Sequence, residues 1–322
     1  MHAERRAVID VGTNSVKLLV ADVTGRKVQP IFESGNQTRL GRGFYETHRL
    51  QPAAIASTAA AVAEFARVAR AHKAVSVRVF GTSAARDAVN AADLIAAVAR
   101  VAELPLEVIT GEQEADWAFQ GATSDPRLAR EPILLMDVGG GSTEFILGRG
   151  DQKHFQQSFP LGAVRLMETI PHGDPPKPAE LAACRDWLAN FLERNVRAIL
   201  SPLLLREKQA HARHHGALLV GAGGAATVLA RMEQQMTDHD RERIETARLA
   251  QARVGEWVKL LWSLPRGQRE KIIGLPPERA DVALTGAAIY EAVMAEFGFG
   301  ELRVTTRGLR FAALMDRGVN QP

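Results

Sequence analysis

The sequence predicts a two-lobed α/β protein, and three observations carry that prediction. The 322 residues are about twice a typical domain of ~150 residues. A glycine-turn motif occurs twice: Asp10, Val11, Gly12 and Ser15 recur as Asp137, Val138, Gly139 and Ser142, each 127 positions further on. Around the two copies, helical and strand-like periods alternate. A spacing of that length is no solenoid repeat; it marks two lobes of one architecture, each opening with a β-hairpin.

The elements follow in order. In the first copy an apolar run at 7–11 meets the turn and a second apolar run at 16–20; in the second copy the runs are 133–136 and 145–147. Runs of this length around a glycine turn read as hairpins. The first lobe continues with an Ala-rich helix over 51–72, a strand over 75–80, a helix over 87–102, a strand over 106–109 and a helix over 112–122. In the second lobe the pattern predicts a helix over 178–200, a strand over 217–220, a helix from near Ala225, an Arg/Glu-rich helical stretch over 241–264 and a closing helix over 279–296. Loop-like composition at 123–131 and 171–176 marks the lobe junction and an excursion within the second lobe. The boundary falls near Thr123, giving lobes 1–123 and 124–322.

Composition excludes several classes. With 46% hydrophobic and 24% charged residues the chain is neither disordered nor fibrous. No apolar run approaches the ~18 residues of a membrane span, and Glu4, Arg5 and Arg6 precede a strand-like run rather than a signal core. A cytoplasmic protein is expected. Cys184 is the only cysteine, which excludes an internal disulfide and a cysteine-cluster metal site; its expected role is a buried small side chain. Lys and Arg number 40 against 37 acids, a net charge of +3, a slight bias toward polyanionic partners.

The twin turns hold most of the residues able to do chemistry. Small residues let backbone N–H groups converge on an anion, and Gly139, Gly140 and Gly141 put no side chain in the way of a phosphate. Ser15 and Ser142 add hydroxyl donors. Asp10 and Asp137 stand at the strand ends before the turns, suited to a hard divalent cation bound through oxygen and water. Each turn also reads as a plain tight hairpin with a turn carboxylate, but two copies in matched register favour the anion reading, with two facing copies clamping one phosphate chain. A third glycine cluster, LLVGAGGAATVL over 218–229, fits a strand, a glycine turn and a helix start; it reads equally as a phosphate or adenosine site and as a structural turn. In ITGEQEADWAFQGA, Thr110 and Gln113 have capping-box spacing and Glu112 suits the helix dipole. The cap leaves Glu114 unexplained, and a carboxylate beside a bound phosphate is able to deprotonate an attacking water. Arg39, Arg42, Arg86 and Lys17 are candidate phosphate ligands, with solvated surface as the alternative. The HARHH run at 211–215 reads as a surface loop rather than a metal site, and Trp187, Trp257 and Trp262 as packing.

In this order the motifs resemble the exopolyphosphatase and guanosine pentaphosphate phosphohydrolase (Ppx/GppA) family, of the actin-like (ribonuclease H-like) fold shared with sugar and acetate kinases. The similarity runs from VIDVGTNSVKLLV at Val8 through RLGRG, GTSAARDAVN, ITGEQEA, LLMDVGGGSTEFILG, FPLGAVRL and GAGG to RADVALTGAAI and RGLR, ending near Arg310. The resemblance implies an active site in the cleft between the lobes, with Glu114 as catalytic base. Asp137 and Glu144 would bind Mg²⁺ and help hold the nucleophilic water, with Asp10 as the equivalent in the first lobe. It further implies that Asn14, Ser15, Gly139, Gly140, Gly141 and Ser142 form phosphate-binding loops and that Arg86 faces the phosphates. The chain departs from the family pattern at Arg42, where relatives carry an acid, and around the end, where Thr305 and Thr306 precede Arg307 and Phe311 and Ala312 follow Arg310. It resembles the short, two-lobe members.

The expected activity is Mg²⁺-dependent removal of terminal phosphate from inorganic polyphosphate, releasing orthophosphate. The alternatives are hydrolysis of guanosine pentaphosphate (pppGpp), a non-catalytic sensor of polyphosphate or (p)ppGpp, and a kinase of the same fold. A homodimer stays open as a partner state, whereas no membrane and no specific nucleic acid is expected, since no aromatic-interleaved basic motif occurs.

Overall fold

The structure, a computed structural model, describes residues 2–210 and 216–316; the histidine-rich run at 211–215, for which the sequence predicts a surface loop, lies outside them. The chain divides into two compact units, 1–124 with 307–322, and 125–306.

The first unit runs β1 (Glu4–Val11), β2 (Val16–Thr24), β3 (Lys27–Asn36), α1 (Phe44–Thr47), α2 (Pro52–Ala71), β4 (Ser76–Gly81), α3 (Ser83–Asp87), α4 (Ala91–Ala102), β5 (Leu106–Val108) and α5 (Gly111–Ala122). Its sheet has the order β3-β2-β1-β4-β5. The first three strands form an antiparallel meander, and β4 and β5 run parallel to β1. Successive side chains of β1 alternate between two cores. Ala7, Ile9 and Val11 pack with Val62 and Phe65 of α2 and Leu94 and Val98 of α4. Val8 packs on the other face with Leu19, Phe80 and Trp117. Both faces being covered, the strands read as unbroken apolar runs rather than alternating ones.

The second unit runs β6 (Ile133–Val138), β7 (Thr143–Arg149), β8 (Gln152–Phe159), α6 (Ala163–Thr169), α7 (Pro178–Leu192), α8 (Ala198–Ala210), β9 (Leu218–Ala222), α9 (Gly223–Glu233), α10 (Arg241–Thr246), β10 (Arg248–Ala250), α11 (Gln251–Ser263), α12 (Arg266–Arg269), α13 (Ala283–Phe297) and β11 (Glu301–Val304). The sheet order is β10-β11-β9-β6-β7-β8. Read from the far edge, β8-β7-β6-β9-β11 repeats β3-β2-β1-β4-β5 strand for strand, with the same antiparallel and parallel senses. The ribonuclease H-like sheet of the actin-like fold is therefore present twice, and β10 is an added edge.

Several sequence expectations change. The last helix, α14 (Leu309–Met315), belongs to the first unit, not to a second lobe running from 124 to the C-terminus. Its Phe311, Ala312, Ala313 and Leu314 complete the core around Val8, Phe80 and Trp117. The approach is close enough that a side chain on Gly121 of α5 would run into the Gly308 carbonyl. The helical stretch over 241–264 breaks into α10 and α11 because β10 between them pairs antiparallel with β11. The helix over 87–102 splits into α3 and α4, and the one over 178–200 continues through a π turn at Glu193–Arg197 into α8, which carries Pro202 within it.

Cys184 is buried on α7, and burial pushes its thiol up to about 12. Trp257 and Trp262 are core residues, and Trp187 stacks on Phe191 against that core. Among the described residues no helix is long and apolar enough to cross a membrane.

Candidate active site

The two hairpin turns are built alike. Gly12 N–H donates to the Ser15 carbonyl at 3.1 Å, and Gly139 N–H to the Ser142 carbonyl at 2.9 Å. Asp10 pairs across the ladder with Lys17, and Asp137 with Glu144, at the same step before each turn.

The second turn is held so that its amides gather on one side. The Gly139 carbonyl accepts from Ala163 N at 2.9 Å, and the Gly140 carbonyl from Val164 N at 2.8 Å and Arg165 N at 3.0 Å. The Gly141 carbonyl accepts from Arg165 Nε at 2.7 Å. In a trans peptide the C=O and the following N–H point in opposite directions. With three successive carbonyls turned toward the start of α6, the N–H groups of Gly140, Gly141 and Ser142 face the other way together, which is the form of an anion nest. The contact requires Gly162, where an added Cβ would come within 2.5 Å of the Gly140 carbonyl.

The first turn uses the RLGRG segment in the same way. Gly41 N donates to the Thr13 carbonyl at 2.7 Å and Arg39 N to the Asn14 carbonyl at 3.0 Å, so the amides of Asn14 and Ser15 share one direction. A side chain on Gly41 would collide with the Thr13 methyl. Asn14 turns its side-chain amide to Gln37 Oε1 at 2.8 Å. Arg39 is half-buried in a left-handed conformation (φ 52°), Arg42 is exposed, and Ser15 and Ser142 are buried.

Asp137 and Glu144 are 7% and 1% exposed. As a directly opposed cross-strand pair their side chains share one face of the sheet, with Cβ atoms about 4.5–5.5 Å apart. Ser158 Oγ donates to Glu144 Oε1 at 2.7 Å. The Asp137 carboxylate lies against Gly223, whose φ of +77° and missing side chain are both needed there. A buried carboxylate pair of this kind is an oxygen donor set able to hold a hard cation; Mg²⁺ is held by one or two carboxylates together with water and phosphate oxygens. Asp10 differs, since the position opposite it is Lys17. Burial pushes its carboxyl above the ordinary range, opposed by Lys17 and Arg310, and its Oδ1 is buried with no hydrogen-bond partner among the described residues. Among the described residues no three acidic, His or Cys side chains gather into a closed metal cluster.

Glu114 sits in the first turn of α5. Thr110 caps that helix, its hydroxyl accepting from Gln113 N at 3.1 Å. Glu112 points to solvent at the same turn, whereas Glu114 is only 8% exposed. Arg86 of α3 donates from Nη1 to Glu114 Oε2 at 2.9 Å and to the Ile109 carbonyl at 3.3 Å. The structure therefore joins Arg86 to the carboxylate expected to act as base.

Three contributors escaped the sequence. Arg165 holds the glycine loop. Arg279 lays its guanidinium against the Gly224 backbone, where a side chain would otherwise stand, at the start of α9. Tyr290 brings its hydroxyl to the Met136 carbonyl at 3.2 Å and the Ala222 carbonyl at 3.1 Å, directly behind Asp137. FPLGAVRL and RADVALTG contain these arginines, but nothing in their spacing says what the side chains touch.

Comparison with known proteins identifies the relatives of the chain. The family model of the Ppx/GppA phosphatase family matches residues 19–317. The chain is 36% identical over 305 residues to exopolyphosphatase 2 of Mycobacterium tuberculosis, covering 92% of each chain. Among solved structures, the Aquifex aeolicus Ppx/GppA enzyme superposes with a TM-score of 0.75 at 30% identity, over 97% of this chain and 99% of that one. An exopolyphosphatase from Cytophaga hutchinsonii gives a TM-score of 0.82 at 26% identity, over 97% of this chain and 96% of the other. With nearly its whole length matched by that model, the chain belongs to the Ppx/GppA phosphatase family.

Proposed function

We propose that the protein is an exopolyphosphatase that removes the terminal phosphate of inorganic polyphosphate and releases orthophosphate. The observation that carries the reading is the nest of three co-directed amides at 140–142 next to the paired carboxylates of Asp137 and Glu144. Phosphoryl hydrolysis is mostly positioning and charge stabilisation, and this arrangement supplies donors for a phosphate and oxygen ligands for its counter-ion. In this reading the amides of Gly140, Gly141 and Ser142 hold terminal phosphate oxygens. The Ser142 hydroxyl and the turn at Asn14 and Ser15 add donors, and Lys17, Arg39 and Arg86 contribute positive charge. Glu114 accepts a proton as the oxygen of water bonds to the terminal phosphorus, and the P–O bond to the rest of the chain breaks, its electron pair leaving with the shortened polyphosphate. Asp137 and Glu144 would hold Mg²⁺, which would neutralise phosphate oxygens, and Asp10 is the corresponding acid of the first turn.

The test is orthophosphate release from long-chain polyphosphate with Mg²⁺, with EDTA, and with the Glu114→Gln protein. The expected result is activity that EDTA abolishes and that Glu114→Gln lowers by about 10²- to 10⁴-fold, the usual contribution of a general base, with polyphosphate binding kept. Undiminished turnover by Glu114→Gln sinks the assignment of the base. The same assay on pppGpp separates the two substrates: a lower KM for pppGpp than for medium-length polyphosphate would make the nucleotide the preferred one.

A further inference from the structure

We infer that Arg165 is the positioning residue of the phosphate-binding turn, setting through the Gly141–Ser142 peptide the direction and donor strength of the Ser142 amide. The inference rests on the proposed reading of that turn as a phosphate site. Arg165 grips the turn at two points, its backbone N–H on the Gly140 carbonyl at 3.0 Å and its side-chain Nε on the Gly141 carbonyl at 2.7 Å. The other carbonyls of the turn are served by backbone amides of Ala163 and Val164, which no substitution removes. The Gly141 carbonyl is the one whose hold depends on a side chain.

Two consequences follow from that bond. A glycine peptide meets little resistance to rotation, so without the guanidinium the 141–142 peptide is free to turn and carry the Ser142 N–H away from its two neighbours. A charge-assisted donor on the carbonyl oxygen also polarises the whole peptide group, making the N–H on its far side a stronger donor. Because the C=O and the N–H oppose each other, the guanidinium lies behind the peptide and the anion in front of it. Arg165 therefore acts through Ser142 and need not touch the phosphate itself. The platform that carries Arg165 is braced independently: Thr285 Oγ1 of α13 donates to the Ala163 carbonyl at 2.8 Å, and Gly162 lets the backbones meet.

The experiment uses the full chain carrying Glu114→Gln, so that tripolyphosphate can be titrated calorimetrically without turnover. Adding Arg165→Met is expected to weaken tripolyphosphate binding about 10- to 100-fold, the range for losing one hydrogen bond to a charged group. Arg165→Lys, which keeps a cationic donor, should recover part of that loss. In the Glu114-intact protein Arg165→Met should raise KM more than it lowers kcat. The amide resonance of Ser142 should move upfield in Arg165→Met without ligand, a change that mere destabilisation would not localise there. If Arg165→Met does not fold, the Arg165→Lys titration and its Ser142 resonance decide. A parent that binds tripolyphosphate, with both variants leaving affinity and the Ser142 resonance unchanged, overturns the inference alone. A parent that binds no tripolyphosphate overturns the phosphate reading and, with it, the role assigned to Arg165.

Discussion

Glu114 and Asp10 are both buried acids of the first unit, yet their surroundings set them apart. Glu114 has the Arg86 guanidinium at 2.9 Å, an ion pair that helps hold the carboxylate in place, and Arg86 also lies 3.5 Å from Asp87. Asp10 has an oxygen without a hydrogen bond, and burial holds its carboxyl above the ordinary range. An acid whose folded pKa is raised binds more protons folded than unfolded, so stability falls as pH rises from the ordinary carboxylate range through the raised folded value. Below that range the cost is absent. Asp10→Asn is therefore expected to raise Tm at pH 7.5, by about 2–4 °C for each kcal/mol relieved in a chain of this size, while lowering phosphate release. The gain should vanish when the melts are repeated below pH 3. Equal or lower Tm at pH 7.5 would show that Asp10 carries no such strain.

At the scale of elements, the same hairpin is used twice with different charge. The register is identical, but Lys17 opposes Asp10 whereas Glu144 opposes Asp137. The first turn thus sets a cation opposite its acid, and the second sets a further acid there. The third glycine cluster lies against Asp137 of that acid pair. Gly223 combines a left-handed φ of +77° with direct contact to the Asp137 carboxylate. Gly223→Ala should cost about 1–2 kcal/mol from the left-handed backbone alone and push Asp137 out of place. Thermal melts and assays across a Mg²⁺ series should show a lower Tm and at least a tenfold higher Mg²⁺ requirement. A variant with the parent's Mg²⁺ dependence would leave Gly223 a purely structural residue.

For the molecule as a whole, the chain leaves the first unit at Ser124 and returns to it at Arg307. Its first core is closed by its last helix. Phe311 is 2% exposed among Val8, Phe80 and Trp117, and Arg310 reaches from the same helix to the Leu18 carbonyl at 3.2 Å and to Glu33 at 3.2 Å. Truncating a buried aromatic in such a core costs about 3–5 kcal/mol. Phe311→Ala should accordingly unfold the first unit well before the parent in thermal melts, although the substitution lies 300 residues from β1 in sequence. A Tm within a degree or two of the parent would show that α14 is dispensable to that core.

The repeat at offset 127, the α/β alternation, the capped start of α5 and the burial of Cys184 were legible in the sequence because each is local: a turn glycine, a period of two or 3.6, a cap three residues from its partner. So were Glu114, Asp137 and Glu144 as candidates, through the motifs that contain them. The pairing of Arg86 with Glu114, the grip of Arg165 on Gly141, the need for Gly223 beside Asp137, the edge strand β10 inside an apparently helical stretch and the return of α14 to the first core were decided only by the tertiary structure. These are contacts between segments far apart in the chain, and the direction in which a carbonyl or an amide points depends on partners that local composition does not name.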